Sequence, residues 1–136
     1  NMCSDMTRTF ILDKKESQMI DCYKAVLKTK YEAEKLYKTG QSYQAAAQKA
    51  NQVLEKQGYP KIPHSLGHGI GTHVHETPGI SPKSKGVFIK QSTVTCEPGV
   101  YIPDSFGIRI EDILYVQEQK TQNLNSFSLD FYLNTV

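Results

Sequence analysis

The sequence predicts an α+β domain, because its helical and strand-like patterns occupy separate parts of the chain rather than alternating. Apolar residues recur at helical spacing through most of residues 15–58, whereas short runs of β-branched and aromatic residues dominate from residue 87 onward. The length of 136 residues suits a single domain, since domains most often contain roughly 100–150 residues.

Residues 1–12 are expected to form a strand. In an extended chain, Asp5 and Thr7 fall on one face and Arg8 falls on the other. A carboxylate therefore shares a strand face with a hydroxyl group, which makes that face a candidate for polar chemistry.

Two helices are expected next. The first covers residues 15–38, and Gly40 is placed to end it. Ser42 is a suitable N-cap for the second helix, which continues to about Leu54 and is stopped by Gly58. Neither apolar stripe carries an unusual polar residue, so both helices are interpreted as scaffold.

The character of the sequence changes after Pro63. Residues 64–71 contain three glycines, which argues against a helix and indicates a backbone that lies close to another group. Patterns of β-branched residues then predict four strands, at residues 87–89, 93–96, 100–102 and 108–116. The polar stretch 121–136 carries no functional prediction.

Composition argues against several classes of protein. The net charge is +2, from 16 basic and 14 acidic residues, and no basic block favours nucleic acid as a partner. No apolar run approaches the roughly 20 residues that span a bilayer, and the first ten residues lack the apolar core of a signal peptide. The three cysteines are far apart and form no CxxC pair, which favours reduced cysteines in a cytoplasmic protein.

Three carboxylates lie where strands would place them in the interior, namely Asp5, Glu97 and Glu111. Burial of a lone carboxylate costs several kcal/mol, so each needs a cation or a proton. Arg109, two residues before Glu111, can serve only one of them. A divalent metal would serve all three, and His68 in the glycine-rich run is a natural nitrogen ligand.

Each residue taken alone has a simpler interpretation. Asp5 alone is typical of a strand edge, and Glu111 alone is equally consistent with an ion pair to Arg109. His64 and His75 alone are typical of surface or hydrogen-bonded core histidines. His73 fits no useful spacing, and Asp112 points away from Glu111, so both are interpreted as structural or exposed.

Four motifs together are more specific than any of these residues alone. They resemble, in the same order, motifs of the Xaa-Pro aminopeptidase and prolidase family, and they are SDMTRTF at 4–10, HSLGHGIG at 64–71 with HE at 75–76, EPGVY at 97–101, and GIRIED at 107–112. The resemblance covers most of the chain and implies the pita-bread fold.

The resemblance also implies a metal site. Asp5 resembles the family's second aspartate, which bridges two metals, and Glu111 resembles its bridging second glutamate. His68 resembles the single histidine ligand and Glu97 the first glutamate. Such an oxygen-rich site suits two divalent ions, with manganese expected and cobalt, zinc or iron as alternatives.

The other implied roles concern substrate and catalysis. His64 and His75 resemble histidines that line the substrate site, and Glu97 would also shuttle protons. Thr7, Tyr101 and Arg109 resemble residues that orient the ligands. The implied reaction is hydrolysis of the bond before a proline in the second position of a peptide. A hydroxide that bridges the two metals would attack the carbonyl of that bond. The implied protein is a homodimer at full length.

One departure from the family pattern concerns the start of the chain. The family's first aspartate ligand and its N-terminal domain precede the motif that opens at Ser4, and here the chain begins at Asn1. Residues 1–136 are therefore expected to be a partial catalytic domain, incomplete at its N-terminal side and inactive in isolation.

Two alternatives remain at this stage. A methionine aminopeptidase shares the fold and the GHGIG run, although His64 and the RIED string at 109–112 favour the proline-directed branch. A non-catalytic binding module of the same fold is the second alternative. The presence of Asp5, His68, Glu97 and Glu111 argues against it.

Overall fold

The computed structural model describes residues 1–10 and 17–129. Helix α1 spans Ser17–Glu34 and helix α2 spans Tyr43–Lys56. The strands of this part of the chain are β1 (Gly67–Gly69), β2 (Glu76–Ile80), β3 (Thr93–Cys96), β4 (Gly99–Ile102), β5 (Phe106–Arg109), β6 (Asp112–Val116) and β7 (Thr121–Asn123). Within the described ranges, neither helix combines the length and the apolar character that crossing a membrane requires.

The strands form two antiparallel sheets. The larger sheet has the order β2-β1-β3-β6-β7, and β4 and β5 form a separate two-stranded sheet. Helix α1 packs against α2 and against strands of both sheets, and α2 packs against β2. The predicted α+β class is confirmed.

The core consists of two apolar clusters under the helices. One joins α2 and the end of α1 to the large sheet through residues such as Tyr37, Val94 and Leu114. The other joins α1 to the small sheet through residues such as Val26 and Ile108. Along β3, Val94 and Cys96 enter the first cluster, which leaves Thr95 and Glu97 for the opposite face.

The two helices lie where the sequence predicted them, although α1 ends earlier than predicted and one prediction about its buried face is wrong. Ser42 is the N-cap of α2, and its side chain accepts a hydrogen bond from the Ala45 N–H at 3.3 Å. Helix α1 ends at Glu34, before the predicted residue 38, and residues 15–16 lie outside the described residues. The prediction that neither stripe carries an unusual polar residue is wrong, because Lys30 of α1 is fully buried and pairs with Asp112.

The predicted strand at 87–89 is also wrong. Val87 makes only an isolated bridge to Ser42, and the side chains of Val87 and Ile89 are exposed. The buried member is Phe88, whose ring packs against Tyr37 and Tyr43. This apolar triplet therefore does not form a strand, and the buried Phe88 ring anchors the segment to the core.

The predicted strand at 108–116 changes partners midway. β5 pairs with β4, whereas β6 pairs with β3, and Glu111 lies at the change. Of the predicted strand at 1–12, the described part makes a single bridge, from Thr7 to Glu111, and residues 11–12 lie outside the described residues. Both predictions differ from the structure for the same reason. An extended segment can pair with one neighbour over a few residues and then with another, which its own sequence pattern does not show.

The glycine-rich run is confirmed as a site of close backbone approach. It contributes β1, the strand between β2 and β3. A Cβ atom built on Gly67 would lie 2.0 Å from the Thr95 main-chain oxygen, and one on Gly69 would lie 2.4 Å from that of Thr77. Any side chain at these positions would push the neighbouring strands apart.

Candidate metal centre

Four segments that are distant in sequence bring their acidic or imidazole side chains to one place. Ligand atoms of Asp5, His68 and Glu111 all lie within 4.8 Å of one another. The His68 Nε2 atom is 3.4 Å from Glu97 Oε1 and 3.8 Å from Asp5 Oδ2. The structure therefore brings together all four residues that the sequence analysis named as metal ligands.

The orientation of His68 is fixed by its other ring nitrogen. Nδ1 lies 3.0 Å from the main-chain oxygen of Gly69. A carbonyl oxygen only accepts, so Nδ1 carries the proton and a neutral ring leaves the lone pair of Nε2 facing the carboxylates of Asp5 and Glu97. A lone pair opposite two carboxylates needs a cation or a proton between them, which is the arrangement of a metal ligand.

Glu111 is the most deeply buried of the four, with 3% of its surface exposed. The Thr7 hydroxyl donates to its Oε2 at 2.6 Å. Burial raises the pKa of the Glu111 carboxyl, the nearby Glu97 and Asp5 carboxylates raise it further, and the Thr7 hydrogen bond opposes them. Thr7 also accepts from Arg109 Nε at 3.2 Å, so its hydroxyl stands between the guanidinium and Glu111.

Thr95 was missed by the sequence analysis. Its hydroxyl accepts a hydrogen bond from the His68 main-chain N–H at 3.0 Å and lies 3.5 Å from Glu97 Oε1, to which it donates. Thr95 is fully buried. Its position two residues before Glu97, on the same strand face, was the signal in the sequence that indicated a neighbour of the site.

This set of side chains fits a divalent metal. Three carboxylates and one imidazole are donors that manganese, cobalt, iron and zinc accept. Burial raises the pKa of Glu111, and repulsion from the Glu97 and Asp5 carboxylates raises it further against the smaller opposing effect of Arg109. A cation between them would remove that repulsion.

The two other predicted histidines lie in different settings. The ring of the exposed His75 has its centroid 4.4 Å from that of His68, so His75 is beside the cluster. His64 is partly buried, with Nδ1 2.8 Å from the Ser65 main-chain oxygen and Nε2 2.8 Å from the Tyr101 hydroxyl. Both ring nitrogens of His64 are thus engaged by the protein itself.

Tyr101 is held by close packing on two glycines. A Cβ on Gly99 would lie 2.7 Å from the Tyr101 hydroxyl oxygen, and a Cβ on Gly107 would lie 3.0 Å from its ring. The hydroxyl lies 2.8 Å from His64 Nε2, and against the effect of burial the interaction with Tyr101 raises the pKa of the Arg109 guanidinium. Tyr101 therefore connects His64 to Arg109, and Arg109 connects to the cluster through Thr7.

Comparison with known proteins identifies the family of the chain. Residues 1–118 match metallopeptidase family M24. This match covers most of the chain, and the protein therefore belongs to that family of metal-dependent peptidases.

Individual relatives show the fold and the extent of the similarity. The Xaa-Pro dipeptidase of Pyrococcus furiosus is 34% identical over 122 residues, which cover 89% of this chain and 35% of the relative. The X-Pro aminopeptidase from Thermotoga maritima MSB8 superimposes with a TM-score of 0.89 at 32% identity, covering 93% of this chain and 36% of that chain. The prolidase from Pyrococcus furiosus gives a TM-score of 0.89 at 32% identity, covering 93% and 38%.

These relatives establish the fold as part of the pita-bread architecture of prolidases and X-Pro aminopeptidases, as the motifs indicated. The chain spans little more than a third of the length of the relatives it matches.

Proposed function

We propose that the full-length gene product containing this chain is a metal-dependent peptidase that hydrolyses the bond before a proline. The substrate would be an Xaa-Pro dipeptide or a longer peptide with proline in its second position. The observation that carries the proposal is the convergence of Asp5, His68, Glu97 and Glu111 around one small volume. Relatives named as an Xaa-Pro dipeptidase and an X-Pro aminopeptidase support the choice of substrate.

The metals belong to the proposal. Asp5, His68, Glu97 and Glu111 would hold two divalent ions, with manganese preferred over cobalt, zinc or iron. When bound, such ions activate water and stabilise negative charge on a substrate carbonyl oxygen. The buried position of Glu111 and the Nδ1 hydrogen bond of His68 orient two of the ligands before any ion arrives.

The remaining chemistry is assigned to this chain's own side chains. Glu97 is partly exposed and lies at the edge of the cluster, where its carboxylate accepts a proton from water and delivers it to the leaving nitrogen. His75, exposed beside His68, donates a hydrogen bond to the substrate carbonyl. His64 reaches the substrate by exchanging its Tyr101 partner. Thr7, Tyr101 and Arg109 hold these groups in place.

Proline explains why such an enzyme is needed. The nitrogen of the Xaa-Pro bond is part of the proline ring and carries no hydrogen, so a peptidase that recognises a substrate N–H loses that contact at proline. A site that binds the substrate carbonyl through cations and histidine donors does not need a substrate N–H. We place the enzyme in the cytoplasm, as a homodimer at full length.

Two alternatives make different predictions. A methionine aminopeptidase would prefer an N-terminal methionine to a proline in the second position. A non-catalytic binding module would have no use for the intact cluster of one imidazole and three carboxylates. The names of the relatives and the intact cluster favour the Xaa-Pro peptidase.

The test measures hydrolysis by the purified full-length gene product, stripped with chelator and reloaded with Mn²⁺. Ala-Pro, Ala-Ala and a Met-Ala-Ser peptide are compared at equal concentration. We expect hydrolysis of Ala-Pro alone, abolished by chelator and restored by Mn²⁺. The Glu97→Gln variant should lose about 10²–10⁴-fold in kcat, whereas Glu118→Gln, at an exposed glutamate paired with Lys90, should match the wild type. Preferential hydrolysis of Met-Ala-Ser, or Ala-Pro hydrolysis that survives chelation, would contradict the proposal.

A further inference from the structure

One arginine side chain joins two of the segments that carry the metal-ligand candidates. The guanidinium of Arg8 donates through Nη1 to the main-chain oxygens of Thr7 at 2.9 Å and Glu111 at 2.7 Å. Through Nη2 it donates to Asp112 Oδ1 at 2.6 Å and to the main-chain oxygen of Phe127 at 2.9 Å. Only 5% of the Arg8 side chain is exposed, so these contacts are made away from water.

The partner carboxylate of Arg8 is itself anchored to helix α1. Asp112 is fully buried, and its Oδ2 lies 2.7 Å from Lys30 Nζ. The Lys30 side chain is 1% exposed and also pairs with Glu34 on the same helix. We call this set the Arg8–Asp112–Lys30 network. Its charges balance when Glu34 is included, so it does not neutralise the carboxylates of the metal centre.

The network lies directly behind the metal centre. Arg8 follows Thr7 and is three residues after Asp5, while Asp112 follows Glu111. The main chains of Thr7 and Glu111 exchange hydrogen bonds, with Glu111 N–H donating to Thr7 oxygen at 3.1 Å and Thr7 N–H donating to Glu111 oxygen at 3.4 Å. This single bridge is the regular pairing of the opening segment in the described residues.

Among the described residues, the other main-chain link of the opening segment is the Cys3 N–H, which donates to the Gly71 oxygen at 2.8 Å, so main-chain bonds fix this segment at few points. The planar fork of an arginine is suited to fixing geometry, because its donors point in set directions. Nη1 of Arg8 binds one oxygen from each side of the bridge, and Nη2 ties the pair to a carboxylate held by α1. The guanidinium therefore ties together the segments that carry Asp5 and Glu111, beside the Asn125 side chain, whose Nδ2 donates to the Asp5 main-chain oxygen at 3.2 Å.

We propose that Arg8 is a positioning residue of the metal centre, and that the Arg8–Asp112–Lys30 network sets the separation of the Asp5 and Glu111 carboxylates. The inference rests on the proposed metal site. A purely structural ion network would contribute to the stability of the fold and leave the metal affinity of the folded protein unchanged. A positioning network changes that affinity while the fold remains intact.

The test uses Arg8→Lys in the full-length gene product, because lysine keeps the charge and loses the fork. Mn²⁺ affinity is measured by calorimetric titration, on protein shown to be folded by circular dichroism. We expect weaker Mn²⁺ binding by about 10–100-fold, the range for loss of a group that orients metal ligands. The matched control is Lys90→Met, which removes an exposed pair with an N–O distance of 2.6 Å and should bind Mn²⁺ like the wild type.

A second variant covers the case in which Arg8→Lys fails to fold. Asp112→Asn keeps the size of the side chain and an oxygen for Arg8 but weakens the link to Lys30, so we expect a smaller loss of Mn²⁺ affinity in the same direction. The electron paramagnetic resonance spectrum of bound Mn²⁺ should also change in both variants, since ligand spacing sets it.

Wild-type affinity and spectra in either folded variant would overturn the proposal and leave the network a structural role only. Failure of the proposed function gives a different result, because the wild-type protein itself would then bind no Mn²⁺ at this site.

Discussion

At the scale of single residues, small polar groups orient three of the four ligand candidates, namely His68, Glu97 and Glu111. Thr7 donates to Glu111, and the main-chain oxygen of Gly69 accepts from the ring of His68. Thr95 is shared, because its hydroxyl contacts both the His68 main chain and the Glu97 carboxylate. Removal of the Thr95 hydroxyl should therefore weaken metal binding, although Thr95 is not itself a ligand candidate.

The substitution Thr95→Val tests this. Valine keeps the β-branched shape but leaves the partly buried His68 N–H without its partner, at a cost of about 1–3 kcal/mol in unfolding free energy. Because His68 and Glu97 both lose a contact, we expect Mn²⁺ affinity to fall by about 10-fold or more. Calorimetric titration and denaturant unfolding measure the two effects.

The control for that experiment is Thr93→Val on the same strand. Its hydroxyl donates to the Ile70 main-chain oxygen at 2.6 Å and touches none of the four ligand candidates. Thr93→Val should lower stability without changing Mn²⁺ affinity. Equal losses of affinity in the two variants would show that Thr95 has no special relation to the site.

At this scale the motifs named four ligand candidates that converge in the structure, and only some of the residues that support them. Asp5, His68, Glu97 and Glu111 belong to short motifs with a recognisable order, and the structure brings them together. Thr7, which donates to Glu111, was named from its motif, whereas Thr95 and Lys30 act through contacts between segments that no motif encodes. Lys30 is an example, since a lysine on a helical stripe predicts solvent exposure and only the fold shows that Asp112 lies opposite it.

At the scale of secondary-structure elements, β1 is the strand on which the site depends. It carries His68 and lies between β2 and β3. Gly67 is in the closest contact, since a Cβ there would lie 2.0 Å from the main-chain oxygen of Thr95. The small size of glycine thus allows β1 to approach the strand that carries Thr95 and precedes Glu97.

The substitution Gly67→Ala should separate β1 from β3. Overpacking of this kind costs about 1–3 kcal/mol in unfolding free energy, and the displacement of Thr95 should also weaken Mn²⁺ binding. Gly79→Ala in β2 is the matched control, because a Cβ there meets nothing within 4 Å. Its effect should stay within about 0.5 kcal/mol. Similar destabilisation by both variants, measured by denaturant unfolding, would contradict the close-approach argument.

Helices were more predictable than strands for a physical reason. Periodicity over many residues identified α1 and α2, and capping placed Ser42 correctly. Strand pairing depends on partners that are distant in sequence. Periodicity therefore does not show where residues 108–116 pass from one sheet to the other, or that β2 forms across Pro78 and Gly79.

At the scale of the whole molecule, the helices and the candidate site occupy different faces of the same sheet. Val94 and Cys96 of β3 pack into the core under the helices, while Thr95 and Glu97 serve the opposite face. The site joins residues from Asp5 to Glu111, so it exists only when both sheets and the opening segment are assembled. Residue patterns alone predicted a metal here beside simpler interpretations of each residue, and the order of the motifs made the prediction specific.

The most direct test of the central claim is the position of the metal. Crystals of the full-length gene product, grown with Mn²⁺, would give an anomalous difference map at a wavelength where manganese scatters strongly. We predict anomalous density between Asp5, His68, Glu97 and Glu111, with ligand atoms at about 2.0–2.2 Å. Manganese bound elsewhere, with no anomalous density beside His68 Nε2, would contradict the assignment of this cluster as the metal centre.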